Sequence, residues 1–249
     1  MGSLIINMSP WSNWLTHLPF TQKITGSNPV GDAIENIYKG ITMTDYIGKL
    51  NANAKTLGDD VYTVCEGILN DKRFPIWSGS SKSNQHHYGK GGLVQHTSEV
   101  IDTCFRVKAL YEHKYEIDSK ELFLSAFFHD VGKMHDYEPI MNQTVHNAND
   151  TTDYTCETDY SEWTGTSHKR SIHHISRSGI MWSENARKNE GIYDEYFEKV
   201  LHAILAHHME RKNGSPVAPK SRVAWILTLC DNMSARMNDA DTWDILDRR

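Results

Sequence analysis

The chain is missing several features that would settle its class early. Its four cysteines, Cys65, Cys104, Cys156 and Cys230, lie far apart and form no C-x-x-C pair. That spacing argues against a thiolate zinc site and suits a reducing cytoplasm better than a disulfide framework. No apolar run approaches the roughly 20 residues that a membrane helix needs, so no membrane partner is expected. The opening MGSLIINMSP has a short apolar patch without a basic leader or cleavage site, and predicts no signal peptide. Positive charge is not in excess either. A formal net charge of -6 speaks against coating long nucleic acid by global electrostatics, although a local basic groove remains compatible with it. Strand signals are few, internal repeats are absent, and no dinucleotide glycine motif occurs.

Histidine is what the chain has in abundance. Fourteen occur in 249 residues, most of them between His86 and His208. A hydrophobic fraction of 39% with 23% charged residues fits an ordinary globular chain. A chain this long buries roughly 70–75% of its unfolded surface.

Residues 1–42 carry Pro, Gly and Asn punctuation without a sustained period and read as an irregular N-terminal arm. Two origins for this arm stay open. Gly26-Ser27-Asn28-Pro29 is what the T-arm of a tRNA gene yields in frame, which would make Met43 the natural start. An ordinary variable arm explains it equally, and codons lacking the T-arm consensus would remove the first idea. From Met43 the pattern is helical: apolar residues recur at three-to-four spacing, and Pro75 stops the second run. A long amphipathic helix follows Gly91-Gly92, whose glycines allow close backbone approach. The next begins at Asp118 or Ser119 as N-cap. Further helices are predicted at His173–Arg187, Tyr193–Arg211 and Ser221–Met237, with Leu227, Cys230 and Met233 on an apolar stripe. Residues 138–167, rich in Asn, Thr and Asp, read as a long surface insertion, and 239–249 as a tail. The expectation is an all-α helical bundle spanning 43–238.

Several helical segments carry His or Asp amid apolar neighbours: His96, His129-Asp130, His207-His208 and Asp231, with His173-His174 in another. Each alone has a simple explanation as a hydrogen-bonded core residue, a cap or a half-exposed doublet. Together they do not, because burying so many polar groups unpaired costs several kcal/mol each. Divalent cations remove that cost by taking deprotonated nitrogen and oxygen ligands. A sulfur-free set suits Mn, Fe, Co, Ni or Zn, and two ions sharing one carboxylate use about six protein ligands.

The order His … His-Asp … His … His … Asp resembles the HD-domain metal-dependent phosphohydrolases. The likeness is closest to the catalytic domain of YhaM-like 3′→5′ exoribonucleases. It rests on HHYGKGGLVQHT from His86, HDVGK from His129, HHIS from His173, and the stretch from Ile204 to Met237, and covers roughly residues 60–238. The resemblance implies an HD-domain bundle and two divalent transition-metal ions. His96, His129, Asp130 and Asp231 would hold one, and Asp130 would bridge to a second held by His174 and His207. Either His173 or His174, and either His207 or His208, could serve; the family pattern favours His174. Lys133 would stabilise charge on the phosphate or protonate a leaving oxygen. His86 and His87 would orient ligands or touch substrate, and Arg177 and Arg236 are candidate phosphate contacts. His113, His135, His146, His168 and His202 read as surface or packing residues.

Those exoribonucleases carry an OB-type module ahead of the HD domain, and residues 1–85 look too short and too poor in strands for one. A nucleotide, cyclic nucleotide or short oligonucleotide is therefore the expected substrate. Lys82, Lys90, Lys169, Arg170, Arg211, Lys212, Lys220 and Arg222 could line a groove, with Tyr88 and Trp163 as stacking platforms. Two rival expectations stand beside this one: an HD-fold mixed-valent di-iron oxygenase, and a non-catalytic nucleotide-binding module. The sequence does not address oligomeric state.

Overall fold

The structure is a computed structural model that describes residues 42–148 and 151–239. The arm expected at 1–42 and the tail at 239–249 fall outside the described residues, apart from Thr42 and Asp239. Helix α1 (Met43–Leu57) opens on a capping box between Thr42 and Asp45, and α2 (Asp59–Leu69) follows Gly58 directly. Next come α3 (Gly92–Tyr111), α4 (Ser119–Phe128) and the single turn α5 (Lys133–Asp136). Strands β1 (Tyr137–Ala148) and β2 (Thr151–Gly165) lead to α6 (Ser167–Ser171), α7 (His174–Ala186) and α8 (Glu190–Ala206). A 3₁₀ turn (Arg211–Asn213) precedes α9 (Arg222–Asp239).

The centre of the bundle is α4. Asp118 accepts a hydrogen bond from the Glu121 N–H to start it, and every residue from Leu122 to Phe128 is buried. A helix that is apolar on all sides must be surrounded, and α3, α7, α8 and α9 all pack against this one. The ring of Trp182 from α7 lies 5.1 Å from that of Phe128, and Phe74 meets Phe127 at 5.8 Å. Truncating a core aromatic of this kind costs about 3–5 kcal/mol.

Two boundaries differ from the sequence expectation. Helix α8 begins at Glu190, because the Asn189 side chain accepts from the Ile192 N–H, and stops at Ala206 instead of running on to Arg211. Past its end Met209 sits at φ 71°, outside the helical region. The insertion at 138–167 is a hairpin: β1 and β2 pair antiparallel from Tyr137↔Gly165 to Ala148↔Thr151, with a register shift at Pro139. The base of this hairpin is fastened to the loop before α3. Trp163 is buried, its ring 5.2 Å from that of Trp77, while Trp77 Nε1 donates to Tyr137 O at 2.8 Å.

Candidate metal centre

Helices packed around α4 deliver the polar residues to one place. His129 is the C-cap of α4 and His207 the C-cap of α8. Each ring donates its Nδ1–H to the carbonyl three residues back, at 2.7 Å to Ala126 O and 2.6 Å to Ile204 O. A carbonyl can only accept, so in the neutral rings both Nε2 atoms carry the lone pair. His96 on α3 is set the same way: Ser234 Oγ donates to Glu99 Oε2 at 3.1 Å and so accepts from His96 Nδ1 at 3.3 Å. On α7, His174 Nδ1 donates to Asp136 Oδ2 at 3.1 Å. All these rings therefore present Nε2 inward.

Asp130 lies between them with its two oxygens facing different partners. Oδ2 is 3.2 Å from His96 Nε2, 3.4 Å from His129 Nε2 and 2.6 Å from Lys133 Nζ. Asp231 Oδ1, from α9, closes this side at 3.1 Å from His96 Nε2 and 3.7 Å from His129 Nε2. The ligand atoms of His96, His129, Asp130 and Asp231 all lie within 4.8 Å of one another. Oδ1 faces His174 Nε2 at 3.4 Å and His207 Nε2 at 3.6 Å, and these three atoms are buried without a hydrogen-bond partner. An unmet buried acceptor costs about 1–3 kcal/mol. Nitrogen and oxygen lone pairs aimed into one buried space suit a divalent cation, which needs no proton on any of them.

The sequence description of the HD domain family matches residues 93–236, a span holding all of these side chains. This chain belongs to the HD domain family. HD domains are metal-dependent phosphohydrolases, and the buried His/Asp groups here suit divalent metal binding. No solved structure matched the chain.

Local backbone explains why the HD domain signature needs its glycine. A Cβ on Gly132 would run into His174 O and lie 2.8 Å from Ser178 N, so only glycine lets α7 come this close to the His-Asp pair. Gly132 N also donates to Ser178 Oγ at 2.9 Å. Gly92 plays the matching part at the start of α3, where a Cβ would collide with His87 O, and Gly91 turns at φ 82°.

Electrostatics divide the HD domain centre. Burial alone would raise the Asp130 carboxyl, yet Lys133 and His129 hold it well below the usual carboxylate range. Asp231 is likewise held down against its burial by His96 and His129. Burial pulls the His96 imidazole down, but its contacts with Asp130 and Asp231 outweigh that and raise it to about 9. His174 moves the other way: burial takes it down to about 4 despite its bond to Asp136. His208 falls to about 3, from burial and the neighbouring His207.

The remaining residues of interest divide between the pocket and its surroundings. His208 joins His174 and His207 in a group whose ligand atoms lie within 4.8 Å, and its Nδ1 donates to Asn213 O at 2.9 Å. His173 is half-buried at φ 70°, its ring 4.1 Å from that of His174. His87 sits behind His96, ring to ring at 4.8 Å, and contacts Glu99 at 2.8 Å; His86 is 6.2 Å from His96. Arg177, expected at phosphate, donates from Nε to His168 Nε2 at 3.0 Å. Arg236 is exposed in the last turn of α9. Trp163 is buried against Trp77 and offers no stacking platform. Sequence reasoning did not single out Asp136, Glu99 or Ser234, and it set His168 aside. The one visible cue was that His-Asp recurs at His135-Asp136, six residues after the first pair.

No helix among the described residues is long and apolar enough to cross a membrane.

Proposed function

We propose that this centre holds two divalent transition-metal ions and hydrolyses phosphoesters of nucleotides or of nucleic-acid 3′ ends. The observation that carries the reading is the split of Asp130, whose oxygens face two separate sets of inward lone pairs. His96, His129, Asp231 and Asp130 Oδ2 would hold one ion; His174, His207 and Asp130 Oδ1 the other, with His208 at hand as a further ligand. Bound cations of this kind supply positive charge for the phosphoryl oxygens and a water acidic enough to attack near neutral pH. The chain's own residues do the rest. Asp130 keeps both halves in register, and Lys133, 2.6 Å from it, places an ammonium where phosphoryl charge must be neutralised. His129 and Asp130 are themselves buried, between the buried neighbours Phe128 and Val131, and so are held away from bulk water.

A small substrate is favoured over a long strand. The net charge is -6, and residues 43–69 fold into two helices with no strand between them. Of the basic residues, Arg211, Lys212 and Lys220 line one surface cavity of about 700 Å³, whereas Lys169 is engaged with Ser81 at 2.9 Å. The motif resemblance to the exoribonucleases favours a nucleotide-containing substrate, and the departure from them ahead of the domain favours a short one. The test is to load the protein with Mn, Fe, Co or Ni separately and screen each form against mono-, cyclic and oligonucleotides. Hydrolysis in at least one form, unchanged in anaerobic buffer, is expected. Absence of hydrolysis in every form ends the proposal, and turnover that requires oxygen replaces it with the di-iron oxygenase reading.

A further inference from the structure

We propose that Asp136 is a positioning residue that makes His174 a metal ligand, and that His168 and Arg177 hold Asp136 in place from behind. This deepens the two-metal reading and rests on it. Asp136 is fully buried, and both of its oxygens are committed. Oδ2 accepts from the His174 backbone N–H at 2.9 Å and from its Nδ1 at 3.1 Å, while Oδ1 accepts from His168 Nδ1 at 2.8 Å. His168 has its proton on Nδ1, because Arg177 Nε donates to its other nitrogen at 3.0 Å. The donors thus run in one direction, from guanidinium to imidazole to carboxylate. The last link fixes the His174 ring with Nε2 turned to Asp130, 3.4 Å away.

What sets His174 apart is the charge of its acceptor. His129 and His207 donate to neutral carbonyls, and His96 to a serine hydroxyl. Only His174, among these rings, gives its outward Nδ1–H to a carboxylate, the arrangement that both orients an imidazole and strengthens it as a donor to a cation. The placement answers a local disadvantage. His129 and His207 close helices at their C-termini, where the backbone dipole favours positive charge, whereas His174 is the first residue of α7, at the unfavourable end. His173 gives α7 no side-chain cap, and Asp136 supplies the missing acceptor from outside the helix. Asp136, His173 and His174 also lie close enough to suggest an ion of their own, but both Asp136 oxygens already accept from N–H groups.

A cap alone would stabilise α7 without affecting metal affinity, so the test separates the two roles. Asp136→Asn keeps the size of the side chain and an oxygen for the helix N-terminus, but removes the charge. Wild type and variant are titrated with Mn(II), Co(II) and Ni(II) separately against a chromophoric chelator, alongside thermal melts and the ¹⁵N shifts of His174 in the metal-free state. The expected result is a melt close to wild type, one ion held as before, and the other weakened about 10–100-fold. The His174 shifts should show a smaller Nδ1–H population. Should Asp136→Asn not fold, His168→Ala removes the support while leaving the cap, and should weaken the same ion by a smaller factor. Wild-type affinity for both ions in the folded variant, or a lowered melt with both affinities intact, overturns the proposal. Wild-type protein that takes up none of the three metals overturns the two-metal reading itself, a failure visible before any variant is made.

Discussion

The two oxygens of Asp130 sit 3.2–3.6 Å from imidazole nitrogens on opposite sides of one carboxylate, yet they meet different conditions. On the Oδ2 side the protein satisfies itself: Lys133 forms an ion pair, and His96 carries a proton shared between two acids. On the Oδ1 side no hydrogen bond forms: His174 Nε2 and His207 Nε2 stand off at 3.4 and 3.6 Å, and all three atoms are buried without a partner. The lesson is that a buried centre can pair one half with its own charges while leaving polar atoms of the other unpartnered. Neither half looks unusual by composition; the distinction lies in which atoms face which.

The largest effect should come from removing what the halves share. Asp130→Ala should eliminate both metal equivalents and reduce hydrolysis to background, read by metal content and turnover; wild-type turnover in that variant would end the assignment. Next, His174→Ala should lose one equivalent and keep the other, and His96→Ala should lose the opposite one. If either variant loses both ions, the halves are not separable and the comparison fails. A smaller effect is expected at Lys133→Met, which should keep both ions and lose about 10²–10³-fold in kcat, the range for one charge-stabilising donor. The smallest is a pH effect that sharpens the contrast. His96, raised from 6.5 to about 9, must release a proton before an ion can replace it. Affinity at that half should therefore rise about tenfold per pH unit between 6.5 and 9 and then level off. His174, lowered to about 4, is already neutral in that range, so on its half only His207, which Asp130 raises against its burial, adds a slope. A flat pH profile at the His96 half, measured by chelator competition, would contradict the raised imidazole.

The sequence was most informative where chemistry and periodicity coincide. His129-Asp130 ends an apolar run that can only be a core helix, and such a run fixes where its last residues emerge. His96, His174, His207 and Asp231 could be picked out for a similar reason, as polar residues set amid buried apolar neighbours. Asp136, His168, Glu99 and Ser234 were harder to see. They act through hydrogen bonds to a ligand ring, and no spacing rule links residue 99 to residue 234. The hairpin was missed because a two-stranded ribbon need not bury one face, so its Thr- and Asn-rich strands show no clean alternation. The early end of α8 was hidden because the sequence pattern does not reveal that His207 and His208 leave the helix to serve the pocket.

Setting His129 and His207 as the C-caps of two core-packed helices makes helix length itself a ruler. One residue added within either helix would swing its ring by about 100° around the axis and advance it about 1.5 Å. The coordinates of the centre are thus written into the residue count between cap and terminus. An insertion within either rod should therefore misaim its ring even where the helix itself survives.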